Sequence, residues 1–366
     1  MPDPHLFSND DTPAPRARRG RAARSNATGR FERYARHIEE EPWPEDPRPD
    51  PATTVIEERP RSILTRNSSP DIGFDRSINP YRGCEHGCIY CYARPTHAWL
   101  GFSAGLDFET RLVARPDAPA LLDATLRRAG YSPAPIAIGT NTDPYQPVER
   151  QRGIMRGILE VLLAHRHPVT VTTKGAAILR DTDILGEMGR QGLAQVAVSL
   201  TSLDNALSRS MEPRAAAPGT RLRMIAALAR AGCPTGVMLA PLIPALNDHE
   251  VERLAEAAAT AGASFATHIA LRLPLEVKDL FKEWLADAYP QRAARVMRYV
   301  REMHGGREYD ARWRKRMTGD GVYARLMARR AEAAFARAGL AREGPTLRCD
   351  RFAPPPRPGD QLRLAL

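Results

Sequence analysis

Short β-branched runs at 135–138, 168–173, 195–199, 235–239 and 268–272 punctuate the chain, and between them apolar positions recur at helical spacing. The helical spacing is clearest over 153–163 and 221–230. Strand runs that alternate with amphipathic helices predict βα units. Parallel strands need crossovers of about this length, so the units predict a parallel sheet, closed or partly closed into a barrel. In a barrel of this kind reactive residues sit just past the C-terminal ends of the strands. The stretches at those ends are polar or turn-forming: 139–149, Lys174, 199–202, 240–244 with Asn247 and Asp248, and Arg272, which is expected to end the sixth strand if a first lies near residue 84. Cys233 precedes its strand and belongs at the opposite end.

The flanks read differently. Residues 1–62 are rich in Pro, Arg, Asp and Glu, with a basic run (Arg16, Arg18, Arg19, Arg21, Arg24) and an acidic one at 39–46. That composition predicts disorder, with one short helix near 31–40. Residues 289–340 read as a helical basic extension, and 341–366, with three consecutive prolines, as a loose tail. Within the extension Arg312, Arg314, Lys315 and Arg316 surround Trp313, which combines phosphate-binding charge with a stacking ring. A basic helix packed on the barrel flank by Trp313 would give the same pattern. The formal net charge of +10 permits nucleic-acid binding, and arginine-rich codon usage would also produce it. No apolar run of about 20 residues predicts a membrane span, and the N-terminus has no secretory pattern.

The chemistry is concentrated in GCEHGCIYC at 83–91. Cys84, Cys88 and Cys91 offer three thiolates on one loop with no fourth nearby. Three ligands on a four-iron cluster leave one iron open to a non-protein ligand. Zinc is the competing reading, since His86 is also present, but a structural zinc site wants four ligands, usually in pairs. Five cysteines in 366 residues do not make a disulfide framework. Cluster chemistry and free thiols both point to the cytoplasm.

The blocks SINPYRGCEHGCIYCYAR (77–94), GTNTDPYQP (139–147), TK (173–174) and MEPR (211–214) resemble the spore-photoproduct-lyase-like branch of the radical S-adenosylmethionine (SAM) superfamily. The resemblance spans roughly 63–340 and implies an α/β fold, a partial (β/α)6 TIM-type barrel over 63–288. It implies a 4Fe-4S cluster on Cys84, Cys88 and Cys91, with SAM on the open iron and a flavodoxin- or ferredoxin-type reductant. One electron from such a cluster cleaves SAM to methionine and a 5′-deoxyadenosyl radical.

Further roles follow from that resemblance. Tyr90 is expected beside the adenine, and Lys174 and Ser199 at the SAM carboxylate. The superfamily's Gly-Gly-Glu motif is missing, so Thr140, Asn141, Thr142 or backbone carbonyls must receive the SAM ammonium. Arg214 would reach a ribose or a substrate phosphate, or pair with Glu212. A photoproduct lyase returns hydrogen through a cysteine in the loop corresponding to 139–149, and this chain has none there. Either Tyr145 relays the atom or the reaction differs. The competing function is a cluster-bearing nucleic-acid-binding or regulatory protein that does not turn SAM over.

Overall fold

The computed structural model describes residues 18–36 and 52–356. Ten strands run in chain order as β1 (Thr54–Glu57), β2 (Leu64–Arg66), β3 (Arg76–Ile78), β4 (Tyr81–Arg82), β5 (Arg111–Ala114), β6 (Ile136–Ile138), β7 (Val169–Thr173), β8 (Ala194–Ser199), β9 (Thr235–Leu242) and β10 (Phe265–Ala270). The helices are α1 (Leu106–Thr110), α2 (Ala118–Leu126), α3 (Glu149–Arg152), α4 (Ile154–Ala164), α5 (Thr182–Arg190), α6 (Asn205–Met211), α7 (Pro218–Arg230), α8 (Val251–Thr260), α9 (Val277–Ala288), α10 (Pro290–Met303) and α11 (Gly321–Arg337).

The large sheet has the order β10-β9-β8-β7-β6-β3-β2. From β3 to β10 every pairing is parallel, and β2 joins the β3 edge antiparallel. These six parallel strands are the expected partial barrel, with β3 as the first strand just ahead of the cysteines. Helices cover its outer face by burying one stripe each. In α4 that stripe is Ile154, Met155, Ile158, Leu159 and Leu162, at the spacing that puts them on one side. A fully buried aliphatic side chain of this size contributes about 1.5–3 kcal/mol. A second, three-stranded sheet, β1-β5-β4, stands beside the cysteine loop and was not foreseen. Its strands are two to four residues long, too short for a period-2 signal.

Several expectations are corrected. The sixth strand is Phe265–Ala270, not 268–272, so Arg272 lies beyond it on the following loop. The 1–62 segment is not loose throughout, because β1 pairs with β5 and the amides of Ala22 and Ala23 bond to Glu109 on α1. No helix forms over 31–36, and 37–51, with the acidic run, lie outside the described residues. The C-terminal stretch is also packed as far as 356: Ala341 bridges Phe265, and Phe352 sits among Tyr131, His165 and His167.

The basic extension is helical only in α10 and α11. Residues 304–320 form turns, because Gly305, Gly306, Gly319 and also Arg314 take positive φ, which no helix accepts. Trp313 does not pack on the barrel flank; it is 58% exposed. Three of the four cations around it have partners within the chain: Arg312 with Asp310, Lys315 with Asp320, and Arg316 with Asp71. This loop spans the open side of the sheet. The Ala270 amide at the end of β10 donates to Met317 O (2.9 Å), while the Arg314 amide donates to Asp71, between β2 and β3 (2.6 Å).

Candidate active site

The cysteine loop follows β4 and is shaped by two left-handed glycines. A Cβ on Gly83 would stand 2.9 Å from Leu112 and one on Gly87 2.7 Å from the Glu109 carboxylate, so both positions exclude a side chain. Arg94, fully buried, fixes the loop from behind. Its guanidinium donates to the carbonyls of Gly87, Cys88, Ala104 and Gly105, each at 3.0 Å, and to Glu109 at 2.5 Å. Glu109 in turn accepts the amides of Ala22 (3.3 Å) and Ala23 (3.0 Å), so the N-terminal segment braces the same ion pair. On the other side the Ile89 amide donates to Met211 O (3.0 Å) and the Glu85 amide to Gln146 (2.8 Å).

Cys84, Cys88 and Cys91 are free thiols on this loop. Burial pushes all three pKa values up, and in Cys84 the neighbouring Asp143, Cys88 and Cys91 add to it. A buried thiol in such surroundings becomes a thiolate when a metal compensates its charge. Among the described residues no three His, Cys, Asp or Glu side chains converge as the ligands of a single ion do. Three thiols on one loop suit a cluster with one open iron better than a closed four-ligand zinc site.

The C-terminal ends of β6 to β9 surround this loop. Tyr90 donates its hydroxyl to Glu212 and lies 3.3 Å from the Thr201 hydroxyl. Glu212 also accepts from Thr201 (2.7 Å) and is paired with Arg221, both fully buried. Burial raises the Glu212 pKa, and Arg221 opposes it. The Lys174 ammonium stands 5.9 Å from the centre of the Tyr90 ring and acts on both Cys88 and Cys91. Among the described residues it has no carboxylate partner, which leaves it available to an anionic group. Asp143 accepts from the Lys174 amide (2.7 Å) and the Thr173 hydroxyl (2.6 Å), and faces His86 at 3.3 Å. Burial works to raise its pKa, but His86 and these donors outweigh it and hold the carboxyl at about 2.

The remaining foreseen residues fall into two groups. Ser199 is near but its hydroxyl donates to Ala240 O (3.2 Å), at the cis Ala240–Pro241 bond inside β9. Thr140 and Asn141 lie half-buried on the loop after β6, where Thr140 O accepts the Tyr92 hydroxyl. Thr142 is turned away to Tyr81 O (2.8 Å). Arg214 does not pair with Glu212; it reaches Glu85 at 3.0 Å. Tyr145, expected as a relay, lies in the barrel core with its hydroxyl donating to Asp181 (3.0 Å). Cys233 is buried just before β9, on the opposite rim as expected, and Cys349 lies beside Gly192, also ahead of a strand.

Sequence reasoning missed Thr201, Arg221 and Tyr92. Arg221 reads as an ordinary surface charge in the helical pattern over 221–230, yet its guanidinium is buried against Glu212, Ser199 O (3.1 Å) and Ala216 O (2.7 Å). A signal did exist for Tyr92, because it follows the last cysteine directly. Its ring carries the Arg272 guanidinium 4.7 Å above it.

Comparison with known proteins agrees with this geometry. The radical SAM superfamily matches residues 78–258, the stretch that runs from the end of β3 to α8. The uncharacterized protein Rv2578c of Mycobacterium tuberculosis is 39% identical over 230 residues, 62% of this chain and 68% of that one. The uncharacterized protein MJ0683 of Methanocaldococcus jannaschii is 25% identical over 173 residues, 47% of this chain and 62% of that one. Among solved structures, spore photoproduct lyase complexed with dinucleoside spore photoproduct superposes with a TM-score of 0.52 at 17% identity, covering 78% of each chain. A spore photoproduct lyase variant with bound AdoMet and the same dinucleoside gives 0.52 at 16% identity, again over 78% of each. At such identity the likeness establishes the shared fold. With three free cysteines on a glycine-shaped loop at the mouth of a six-stranded parallel barrel, and with these matches, the chain belongs to the radical SAM superfamily.

Proposed function

We propose that this enzyme binds a 4Fe-4S cluster through Cys84, Cys88 and Cys91 and cleaves SAM reductively. When bound, the cluster supplies the electron that splits SAM into methionine and a 5′-deoxyadenosyl radical. The observation that carries this reading is the Lys174 ammonium, unpaired among the described residues and held beside Tyr90 and two of the cysteines. Such a cation complements the SAM carboxylate. Tyr90, with its hydroxyl anchored on Glu212, offers its ring face to the adenine. Thr140 and Asn141 border the place for the ammonium. Ser199 acts through Ala240 and orients the turn rather than touching the carboxylate. Arg214 secures the cysteine loop through Glu85.

A cytoplasmic location, with an acidic flavodoxin- or ferredoxin-type reductant, follows from the need for a thiolate-bound, reducible cluster. The solved relative holds a dinucleoside photoproduct, which favours a nucleic-acid substrate here too. Repair of that photoproduct is not proposed, because the 139–149 loop has no cysteine. Anaerobic reconstitution tests the reading: iron and sulfide should approach about four per chain, and dithionite with SAM should yield 5′-deoxyadenosine. Cluster without 5′-deoxyadenosine would instead select a cluster-bearing binding or regulatory protein.

A further inference from the structure

Arg272 has an unusual environment for an arginine beside an active site. It sits on the loop after β10, its guanidinium carbon 4.7 Å from the centre of the Tyr92 ring. Tyr92 directly follows Cys91, and its hydroxyl is fixed on Thr140 O, so the stack is held at the rim where the cysteine loop meets the β6 loop. Among the described residues Arg272 has no carboxylate partner. Among those residues its one side-chain hydrogen bond is a long 3.4 Å contact with the Tyr309 hydroxyl, and its Nε is buried with no acceptor. Most other arginines near the site are paired: Arg94 with Glu109, Arg214 with Glu85, Arg221 with Glu212 and Arg316 with Asp71.

A buried donor without an acceptor costs about 1–3 kcal/mol. A guanidinium presents a planar fork that matches an oxyanion through two parallel hydrogen bonds. The ring beneath it orients that fork and accepts none of its N–H groups. The loop that carries Tyr309 also spans the open side of the sheet, so Arg272 stands where a substrate would enter between that loop and the cysteine loop.

We propose that Arg272, stacked on Tyr92, is the substrate-anchoring residue, and that the substrate carries an oxyanion, a phosphate or a carboxylate, close to the atom that loses hydrogen. This rests on the SAM-cleaving reading above and narrows its substrate class. The phosphate and carboxylate sources are separable with two probes, pyrophosphate and glutarate, titrated calorimetrically into the reconstituted, SAM-loaded protein at low salt. One of the two should bind. Arg272→Met should weaken that probe about tenfold or more, and Arg272→Lys, which keeps the charge but loses the fork, should fall between. Circular dichroism and iron content show whether each variant is folded and loaded. Binding of neither probe, or equal binding by folded wild type and Arg272→Met, overturns the proposal. Failure of the SAM reading is seen separately, as absence of 5′-deoxyadenosine from the wild-type protein.

Discussion

The Tyr90 hydroxyl donates to the Glu212 carboxylate, and this bond helps to tie the cysteine loop to the segment that follows α6. Glu212 is simultaneously the partner of Arg221 on α7, so an ion pair buried on both sides underlies Tyr90. Removing one partner leaves the other charged and unpaired in the interior. Arg221→Met should therefore lower unfolding stability by about 3–5 kcal/mol, whereas the double substitution with Glu212→Met should recover part of the loss. Urea unfolding of the apo protein measures both. Equal stability of Arg221→Met and wild type would rule the pair out as a structural anchor.

Cys84→Ser, Cys88→Ser and Cys91→Ser should each abolish SAM cleavage and lower bound iron after reconstitution. Two thiolates cannot hold a cubane with one open iron. Cys233→Ser should keep cluster and activity, because Cys233 is buried on the opposite rim. Full 5′-deoxyadenosine formation by any of the first three variants contradicts the cluster assignment.

Lys174→Ala should retain the cluster and bind SAM roughly ten- to a hundredfold more weakly. A charge-assisted contact to the carboxylate is worth about 1.5–3 kcal/mol. Equilibrium dialysis with labelled SAM, alongside iron analysis, separates this from loss of the cluster. Unaltered SAM affinity would make Lys174 a rim charge only.

Two buried histidines should each take stability from the fold as pH drops below neutral. Burial holds His97 and His167 at about 4, against 6.5 when exposed. Both are neutral in the fold, and the unfolded chain takes up their protons first as pH drops. Their contribution is therefore constant above about pH 6.5, declines between there and about 4, and is lost below. By pH 5 each accounts for about 2 kcal/mol of destabilisation. His97→Phe should shrink the difference between unfolding free energies at pH 7.5 and 5.0 by that amount; an unchanged difference would contradict burial of a neutral His97.

The loop around Trp313 separates two uses of positive charge. If the protein holds a nucleic-acid strand there, Arg314→Ala should weaken binding and reduce the salt slope by about one. Trp313→Ala should then weaken single strands more than duplex, since only unstacked bases can use the ring. Arg316→Ala should instead loosen the loop, seen as faster amide exchange over 309–317, because its guanidinium holds Asp71 at 2.5 Å. Salt-independent or undetectable retention of strands in a mobility-shift assay would remove nucleic acid as the partner of this loop.

Much of this protein is local and therefore legible in the chain itself. The three cysteines, the glycines that curl their loop, the βα periodicity and the rim position of Lys174 all depend on spacing within a few residues or on strand-to-helix alternation. Partnerships across the fold are different in kind. Glu212 stands two residues before Arg214, yet it pairs with Arg221, because α6 and α7 turn Arg221 inward and leave Arg214 to Glu85. Tyr145 lies on the reactive loop in sequence but its side chain points into the core toward Asp181. Arg312, Lys315 and Arg316 look like a nucleic-acid patch until Asp310, Asp320 and Asp71 are placed beside them. The 18–36 segment has the composition of a free tail, and the buried Arg94–Glu109 pair, assembled in three dimensions, gives the amides of Ala22 and Ala23 something to bind. Sequence spacing determined which atoms could ligate a cluster; packing decided which charges were left over for a ligand, because a charge is free only when no partner reaches it in space.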